Sequence, residues 1–256
     1  MTGARVPLRT ALESPGSKAP YVRRLFATIA DRYDLITVLL SFGLDSAWKR
    51  RLVSMPGPVA GRRVLDLASG TGDIAFEAAA HGARVTGLDI THRMVEIAHS
   101  KAHRVPNTGY RTPDTGPRTP NPRFLVGDMM ALPFGAAQFD VVTTGYGLRN
   151  VPDLDGALRE IVRVLRPGGV LLSLDFDRPS HALVRGVYLG YLTVVGSVLG
   201  FVLHRDPDTY RYIPESIRRY PGAPAVAHLM RDAGFATAEW LPVLGGLMAL
   251  HIARKA

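Results

Sequence analysis

The chain contains no cysteine among its 256 residues. Disulfide bonds, thiolate metal sites and a catalytic cysteine are therefore excluded. Residues 1–19 also lack a continuous apolar core of the length that a secretory signal needs. We expect this segment to form a flexible tail, and we expect the protein to be cytoplasmic.

Acidic residues are outnumbered, with 22 Asp and Glu against 31 Lys and Arg and a formal net charge of +9. Such an excess of positive charge is compatible with binding to nucleic acid, with binding to an anionic membrane surface, or with a role in solubility alone. No basic stripe with interleaved aromatic residues accompanies the charge, and no separate binding module is evident. We therefore predict no nucleic-acid partner and favour peripheral contact with the inner face of a membrane.

Long uncharged segments are rare, and the clearest one, at 186–203, reads GVYLGYLTVVGSVLGFVL. Its length reaches the threshold of about 18 residues for a membrane-spanning helix. The segment lies between predicted strands of one sheet, however, so a single crossing would separate those strands. Its four glycines predict a break into short helices. We interpret 177–221 as an insertion that covers a bound substrate molecule, the acceptor. The alternative is that the apolar segment is simply buried in the core.

The rest of the chain alternates β-branched runs with helical periodicity, which predicts one doubly wound, Rossmann-like α/β domain over 20–256. A helical cap is predicted at 20–55, a mobile loop at 104–122 and a helix at 153–166. The tight turn at Gly245 and Gly246 makes the last two strands an antiparallel hairpin. The seven predicted strands are 63–68, 83–90, 123–128, 139–146, 169–176, 237–243 and 247–253.

The turn after the first strand carries the strongest chemical signal. Gly70 and Gly72 allow close approach of a ligand to a helix N-terminus. The same turn satisfies the dinucleotide fingerprint, so an NAD-binding oxidoreductase is a rival interpretation. Asp66 and Asp73 flank the glycines with no Lys or Arg in the loop, and they would repel a pyrophosphate. A ligand with an ammonium and a sulfonium group, S-adenosylmethionine, is predicted instead.

The predicted cofactor contacts follow from acids at three strand ends. Asp66 would meet the amino group, Asp89 the ribose hydroxyls and Asp128 the adenine amine, with Met129 against the ring. The full predicted set is Asp66, Gly70, Thr71, Gly72, Asp89, Asp128, Met129, Thr144 and Gly145. No metal site is predicted, because His99 and His103 lack a third ligand.

Six segments of the chain carry a recognisable pattern: FATIADRYDLITVLLSFGLDSAWKRRL (26–52), LDLASGTGD (65–73), GYGLRNV (145–151), LRPGG (165–169), DTYRYIPESIRRYP (208–221) and MRDAGF (230–235). Together they resemble the ubiquinone/menaquinone biosynthesis C-methyltransferases, a family with the class I methyltransferase fold. The resemblance implies methyl transfer to a ring carbon of a polyprenylated quinol, and we favour demethylmenaquinol over a benzoquinol. Gly145 and Asp175 depart from the serine and glutamate of the family pattern.

The acceptor site is predicted around Arg149 and Asn150, which follow the fourth strand at the carboxyl edge of the sheet. Arg149 would stabilise a phenolate while water takes the proton, and Asn150 would donate a hydrogen bond. Capping of the helix near Asp153 is the alternative. The residues predicted to contact the acceptor are Tyr33, Phe42, Tyr146, His204, Tyr210 and Tyr212.

Three of these side chains have an alternative interpretation. His204 would then be an ordinary surface residue, and Tyr210 and Tyr212 would pack in the hydrophobic core. A sterol or a polyketide phenol is the alternative acceptor, and a homodimer is compatible with the sequence.

Overall fold

The computed structural model describes residues 8–12, 14–41, 43–104, 121–179 and 181–256. Most of the loop predicted at 104–122 lies outside these residues, as does the acceptor candidate Phe42. The first seven residues of the predicted tail also lie outside them.

Seven strands form one sheet in the order β3-β2-β1-β4-β5-β7-β6. The first five strands are parallel, while β7 is antiparallel to both β5 and β6. The predicted doubly wound sheet with an antiparallel C-terminal hairpin is thus confirmed. The strands are β1 (Arg63–Leu67), β2 (Arg84–Asp89), β3 (Arg123–Val126), β4 (Phe139–Gly145), β5 (Leu165–Phe176), β6 (Phe235–Val243) and β7 (Met248–Lys255).

Helices flank the sheet on both faces and cap its carboxyl edge. Three 3-10 turns, Ala30–Arg32, Leu148–Asn150 and Leu244–Gly246, join some of these elements. The helices of the described residues are α1 (Leu8–Ala11), α2 (Pro15–Ile29), α3 (Tyr33–Leu40), α4 (Asp45–Ser54), α5 (Asp73–Ala80), α6 (His92–Arg104), α7 (Leu154–Val164), α8 (Ala182–His204), α9 (Asp208–Arg219) and α10 (Ala223–Asp232).

Two apolar layers hold the sheet between its helices. Val64 of β1 faces the layer that includes α4, α5 and α6, whereas its neighbour Leu65 faces the layer of α7 and α10. This division follows from the two-residue period of a strand, which turns successive side chains to opposite faces. Strands buried on both faces explain the nearly continuous aliphatic runs in the sequence.

The predicted boundary between tail and domain at residue 19 is wrong. Helix α2 begins at Pro15, where the Ser14 side chain accepts a hydrogen bond from the Ser17 N–H at 3.3 Å. Lys18 then donates to the carbonyl oxygens of Arg149 and Val151, at 2.9 and 2.6 Å. These contacts lie far apart in sequence, so the polar composition of the segment gave no sign of them.

The LRPGG segment lies within a strand, so the helix predicted at 153–166 ends earlier and the strand predicted at 169–176 begins earlier than expected. Strand β5 starts at Leu165 directly after α7, and Leu165 is buried opposite Phe139. The register shifts between Phe139 and Val141, and Gly168 adopts a positive φ of 72°. A bulge therefore accommodates the Pro-Gly-Gly residues inside the strand.

The apolar segment at 186–203 does not break into short helices, since α8 is one helix of 23 residues. Its glycines allow close packing instead. A Cβ on Gly196 would lie 3.1 Å from the Tyr210 carbonyl oxygen, and a Cβ on Gly200 would collide with that of Asp206. Helix α9 therefore packs closely on α8.

Helix α8 is long and apolar enough to cross a membrane, with a mean hydropathy of 1.8 and 28% of its most apolar window buried. Its neighbours in the fold argue against a crossing. Strand β5 precedes α8, and the later strand β7 pairs with β5. Helix α9 also returns to the sheet edge, where Tyr212 donates to Asn150 at 2.8 Å. A crossing would therefore place β5 and β7 on opposite sides of the membrane and break their pairing. Helix α8 instead lies across the surface of the domain.

The close α8–α9 contact can be tested with two glycines of one helix. Gly200→Ala should lower the free energy of unfolding by about 1–3 kcal/mol, because the added methyl group meets backbone atoms. Gly190→Ala should raise it by about 0.5–1 kcal/mol, because open space surrounds that position and alanine favours the helix. Urea unfolding measures both values, and equal effects of the two substitutions would contradict the packing described.

Candidate functional site

A cleft of about 730 Å³ opens at the carboxyl edge of the sheet. It lies where the strand order reverses between β1 and β4, the position at which open α/β sheets bind ligands. Gly70 after β1, Asp89 of β2, Asp128 after β3 and Gly145 of β4 all line it.

The two glycines of the turn have different functions. Gly70 and Gly72 both adopt positive φ, at 54° and 96°. Gly70 borders the cleft, whereas a Cβ on Gly72 would lie 2.8 Å from the rings of Phe76 and Phe124. Gly72 therefore permits the packing of aromatic rings behind the turn, and Gly70 permits approach of a ligand in front of it.

Asp89 is held rigidly at the end of β2. Its two carboxylate oxygens accept hydrogen bonds from the N–H groups of Gly70 and Thr91, at 2.9 and 2.8 Å. Burial raises the pKa of this carboxyl group, and the two N–H groups oppose the rise. Each oxygen keeps a second acceptor position. The side chain is therefore placed to accept from ligand hydroxyls.

Five of the nine predicted cofactor residues line the cleft, namely Gly70, Asp89, Asp128, Met129 and Gly145. The other four do not line it, and their direct contact with the cofactor stays a prediction. Thr71 donates to Asp34 at 2.5 Å, and Thr144 is fully buried next to Gly147. The residues that do not line the cleft are Asp66, Thr71, Gly72 and Thr144.

Asp66 shows the physical reason for this difference. Its side chain lies on the α5 side of β1, where one carboxylate oxygen accepts from the Thr143 hydroxyl at 2.7 Å. The other oxygen is buried without a partner among the described residues. Burial raises the pKa of Asp66 to about 7, although the Thr143 hydrogen bond opposes the rise. Alternation along the strand therefore directs this carboxyl group beneath the turn.

The sequence predicted that Asp73 has no cation close to it and would repel a pyrophosphate, and the structure contradicts this prediction. Asp73, which has no cation nearby in its own loop, pairs with Lys49 of α4 at 2.9 Å and with Lys101 of α6 at 3.2 Å. Burial alone would raise the pKa of Asp73, but the two lysines outweigh it and hold the pKa below its usual value. The charge on Asp73 therefore does not decide which ligand binds.

Lys49 belongs to a buried chain of ionic contacts that joins the cap to the sheet. Its ammonium group lies 2.5 Å from Asp45, which in turn accepts from the Tyr146 hydroxyl at 2.7 Å. Burial would lower the pKa of Lys49, but Asp73 and Asp45 hold it above its usual value. On the other side, Lys101 pairs with Asp34 of α3 at 2.7 Å.

A second cavity of about 620 Å³ lies beneath the cap and shares Phe26, Tyr33 and Tyr146 with the cleft. We call it the acceptor cavity. Tyr146 adopts a positive φ of 59°, a conformation that is unfavourable for a bulky residue and is found most often at functional sites. Its backbone thereby brings the ring between the two spaces.

Arg149 contributes the cation to the otherwise largely apolar acceptor cavity. One terminal nitrogen lies 3.2 Å from Asp175, and the guanidinium group stacks 4.9 Å from the centre of the Phe176 ring. Burial raises the pKa of Asp175, and the positive charge of Arg149 opposes the rise. The Nε–H of Arg149 has no partner among the described residues, so a buried donor remains available.

Asn150 links the end of β4 to helix α9. Its amide nitrogen donates to the Tyr146 carbonyl at 2.7 Å, and its amide oxygen accepts from the Tyr212 hydroxyl at 2.8 Å. The alternative that Arg149 and Asn150 cap the next helix is wrong. Asp153 caps α7 by accepting from the Gly156 N–H at 3.1 Å.

Four of the predicted acceptor contacts line this cavity, namely Tyr33, Tyr146, Tyr210 and Tyr212. His204 does not line the cavity, and its Nε2 lies 2.8 Å from the hydroxyl oxygen of Tyr210, so its contact with the acceptor stays a prediction. Sequence reasoning missed the cap residues Phe26 and Ile36, together with Met248 of β7. An apolar helix face has the same pattern whether it packs into a core or lines a cavity.

Comparison with known proteins identifies the family of this chain. Residues 15–255 match the model of the ubiE/COQ5 methyltransferase family. The chain belongs to this family. The predicted resemblance is confirmed, and the NAD-binding alternative is set aside.

Similar curated relatives cover nearly the whole chain. The ubiquinone/menaquinone biosynthesis C-methyltransferase UbiE of Shewanella sp. strain ANA-3 is 36% identical over 237 residues, which are 91% of this chain and 90% of that protein. The protein of the same name from Rubrivivax gelatinosus is 37% identical over 235 residues, 92% of this chain and 87% of the relative.

Solved structures confirm the methyltransferase fold. A methyltransferase from Thermotoga maritima, described as a possible histamine N-methyltransferase, has a TM-score of 0.62 at 19% identity, covering 92% of this chain and all of that one. Magnesium protoporphyrin IX methyltransferase from Synechocystis, solved with bound S-adenosylhomocysteine, has a TM-score of 0.55 at 19% identity and covers 83% of each chain.

As a member of the ubiE/COQ5 methyltransferase family, the chain is an S-adenosylmethionine-dependent enzyme. The residues of the cleft fit that cofactor. Gly70 leaves space beside the turn, Asp89 has free acceptor positions for hydroxyl groups, and Met129 offers a buried apolar contact beside Asp128.

The role of Lys49 in holding the cap can be tested by Lys49→Met. The substitution should lower the free energy of unfolding by about 3 kcal/mol or more, because it leaves Asp45 buried without its cation. Lys101→Met, at a more exposed site that also contacts Asp73, should cost less than about 1 kcal/mol. Urea unfolding distinguishes the two, and equal losses would contradict a special role for Lys49.

Proposed function

We propose that this enzyme methylates a ring carbon of a polyprenylated quinol in the biosynthesis of menaquinone or ubiquinone, with demethylmenaquinol as the favoured substrate. The observation that carries the proposal is a buried arginine in an apolar cavity that adjoins the cofactor cleft. The curated relatives are named for both quinone pathways, which supports this class of acceptor.

The geometry suits an aromatic acceptor that develops negative charge. The shared aromatic wall of Phe26, Tyr33 and Tyr146 offers stacking contact to a ring held next to the cleft. In this low-dielectric environment, the unpartnered Nε–H of Arg149 would stabilise a phenolate oxygen far more strongly than water does. Asn150 and Tyr212 bond to each other and hold the loop in place.

Proton transfer does not require Arg149 to act as a base. Guanidinium remains protonated in proteins, and Asp175 beside it keeps that charge compensated. Arg149 therefore lowers the free energy of the ionised quinol, and water accepts the phenolic proton. The cleft residues Gly70 and Asp89 would hold S-adenosylmethionine, which would supply an electrophilic methyl group to the ring carbon. The new carbon–methyl bond would replace the sulfur–methyl bond, leaving S-adenosylhomocysteine, and the proton displaced from the ring carbon would pass to water.

Methyl transfer from labelled S-adenosylmethionine tests the proposal directly. The reduced forms of demethylmenaquinone and of the corresponding benzoquinone that lacks its C-methyl group should be supplied separately, with mass spectrometry as the readout. We expect product from the naphthoquinol. Product from the benzoquinol alone would assign the enzyme to ubiquinone biosynthesis. No product from either, with cofactor bound, would contradict quinol methylation and favour a sterol or polyketide phenol.

A charge-balanced pair of substitutions tests the role of Arg149. Arg149→Gln combined with Asp175→Asn removes both buried charges, so no lone carboxylate is left to unfold the protein. We expect the turnover number to fall about 100-fold or more, as for loss of a preorganised oxyanion donor. Cofactor affinity, measured by calorimetry, should change less than twofold. Unchanged turnover would rule out the proposed stabilisation.

We further propose that the protein, in the cytoplasm, rests on the inner face of the membrane. Arg32 donates to the Leu203 carbonyl and thereby joins the start of α3 to the end of α8. Exposed apolar side chains on both helices form what we call the apolar surface, and Arg205 lies exposed at its edge. Burial of such a surface among lipid chains and attraction of a net charge of +9 to anionic lipid would act together. The apolar surface consists of Leu35, Val38, Leu39, Val198, Phe201 and Val202.

Vesicle flotation tests this membrane contact. Wild-type protein should float with vesicles that contain anionic lipid, and Phe201→Ser with Val202→Ser should reduce the bound fraction about tenfold, because two apolar side chains no longer enter the lipid. Val126→Ser, at an exposed position of the edge strand β3, is the matched control and should float normally. Equal flotation of all three proteins would refute the surface assigned here.

A further inference from the structure

The acceptor cavity continues beyond the buried ring site. Leu40, Phe176 and Met248 line this cavity and also line an open groove of about 1010 Å³. We call this second space the tail groove. Because the two spaces share three side chains, they lie next to each other, and a substituent that passes these side chains would reach the surface along an apolar path.

Two elements form the walls of the tail groove. Leu183, Val184 and Val187 of α8 form one wall, and Leu244 and Leu247 beside the turn between β6 and β7 form the other. Every residue lining the groove is aliphatic or aromatic. Such a lining offers contact to hydrocarbon and no charged partner to a polar ligand.

The wall on α8 is exposed although the helix is fixed in place. Val187 is 67% exposed and Leu183 is 71% exposed. On the inner side of the same turns, Tyr188 and Leu189 are buried in a cluster with Ile217 of α9. Exposed apolar residues on a rigid support, next to a functional cavity, are typical of a binding surface rather than of a mobile segment.

The position of Arg149 sets the direction of a bound acceptor. Its guanidinium group stacks on Phe176, which forms part of both the cavity and the groove. A quinol oxygen at Arg149 therefore places the ring beside Phe176. A long substituent on that ring would leave past Phe176 and Met248 into the tail groove.

We propose that the tail groove binds the ring-proximal part of the isoprenoid tail of the acceptor. This inference rests on the proposed function and deepens it by assigning a subsite to the tail. Apolar contact is non-directional and grows with the area buried. The value of kcat/KM should therefore rise with the number of isoprene units until the groove is filled, and then remain constant.

A pair of matched substitutions on α8 tests the proposal in detergent solution, where no bilayer contributes. Val187→Glu places a carboxylate in the groove wall. Val194→Glu makes the same change on the same helix at a site that is 65% exposed and does not line the groove. Each variant is assayed with a long-tailed acceptor and with the same quinol lacking its tail.

For Val187→Glu we expect a loss of about tenfold in kcat/KM with the long-tailed acceptor and no change with the tailless quinol. The Val194→Glu variant should match the wild type with both. An equal loss on both acceptors, or wild-type kcat/KM that is independent of tail length, would overturn the assignment of the groove. If the wild type methylates neither quinol, the proposed function fails, and the measurement below still tests the groove.

Photochemical labelling tests occupancy without turnover. A polyprenyl alcohol that carries a diazirine should label the wild-type protein within 183–191 or 244–248, as read by mass spectrometry of peptides. Labelling of both segments should drop several-fold in Val187→Glu and persist in Val194→Glu. Labelling elsewhere, or labelling that Val187→Glu leaves unchanged, would refute the tail groove.

Discussion

The site depends on one buried cation, the ammonium group of Lys49, which lies between Asp45 of the cap and Asp73 at the start of α5. Bringing Lys49 and Asp45 out of water is costly, and the cost is offset only when both are paired. The second contact of Lys49, with Asp73, fixes the position of the cap on the sheet. Asp45 in turn accepts from Tyr146, so the same ionic chain also fixes the ring that separates the two cavities.

This arrangement places a polar cleft and a largely apolar cavity on opposite sides of an aromatic wall. The cleft gains its polarity from strand ends, where Asp89 and Asp128 lie at the carboxyl edge of the sheet. The cavity gains its apolar lining from the cap and from α9, and its charge from Arg149. A charged cofactor and a hydrophobic acceptor can therefore meet although each has its own environment. In the proposed mechanism, Arg149 acts strongly on a phenolate because it is buried and therefore little screened by water.

Some features of the site followed from local sequence and others did not. The glycine turn and the acids at strand ends were predictable because strand period and turn chemistry are local properties, and Gly70, Asp89 and Asp128 all line the cleft. The partners of Asp73 were not predictable, because Lys49 and Lys101 come from other helices. The continuity of α8 was also missed, since its glycines relieve packing against α9 rather than break the helix.

By itself, the sequence determined the order of strands and helices, the antiparallel hairpin, the glycine turn and the choice of Arg149 as the cation of the acceptor site. These features depend on residue period, backbone freedom and side-chain charge, all of which are local. Only the tertiary structure decided that Asp66 and His204 line neither cavity and that Phe26 lines both. It alone also placed the tail groove next to the acceptor cavity at Met248. The physical reason is that burial and cavity walls arise from contacts between distant segments, which no local pattern encodes.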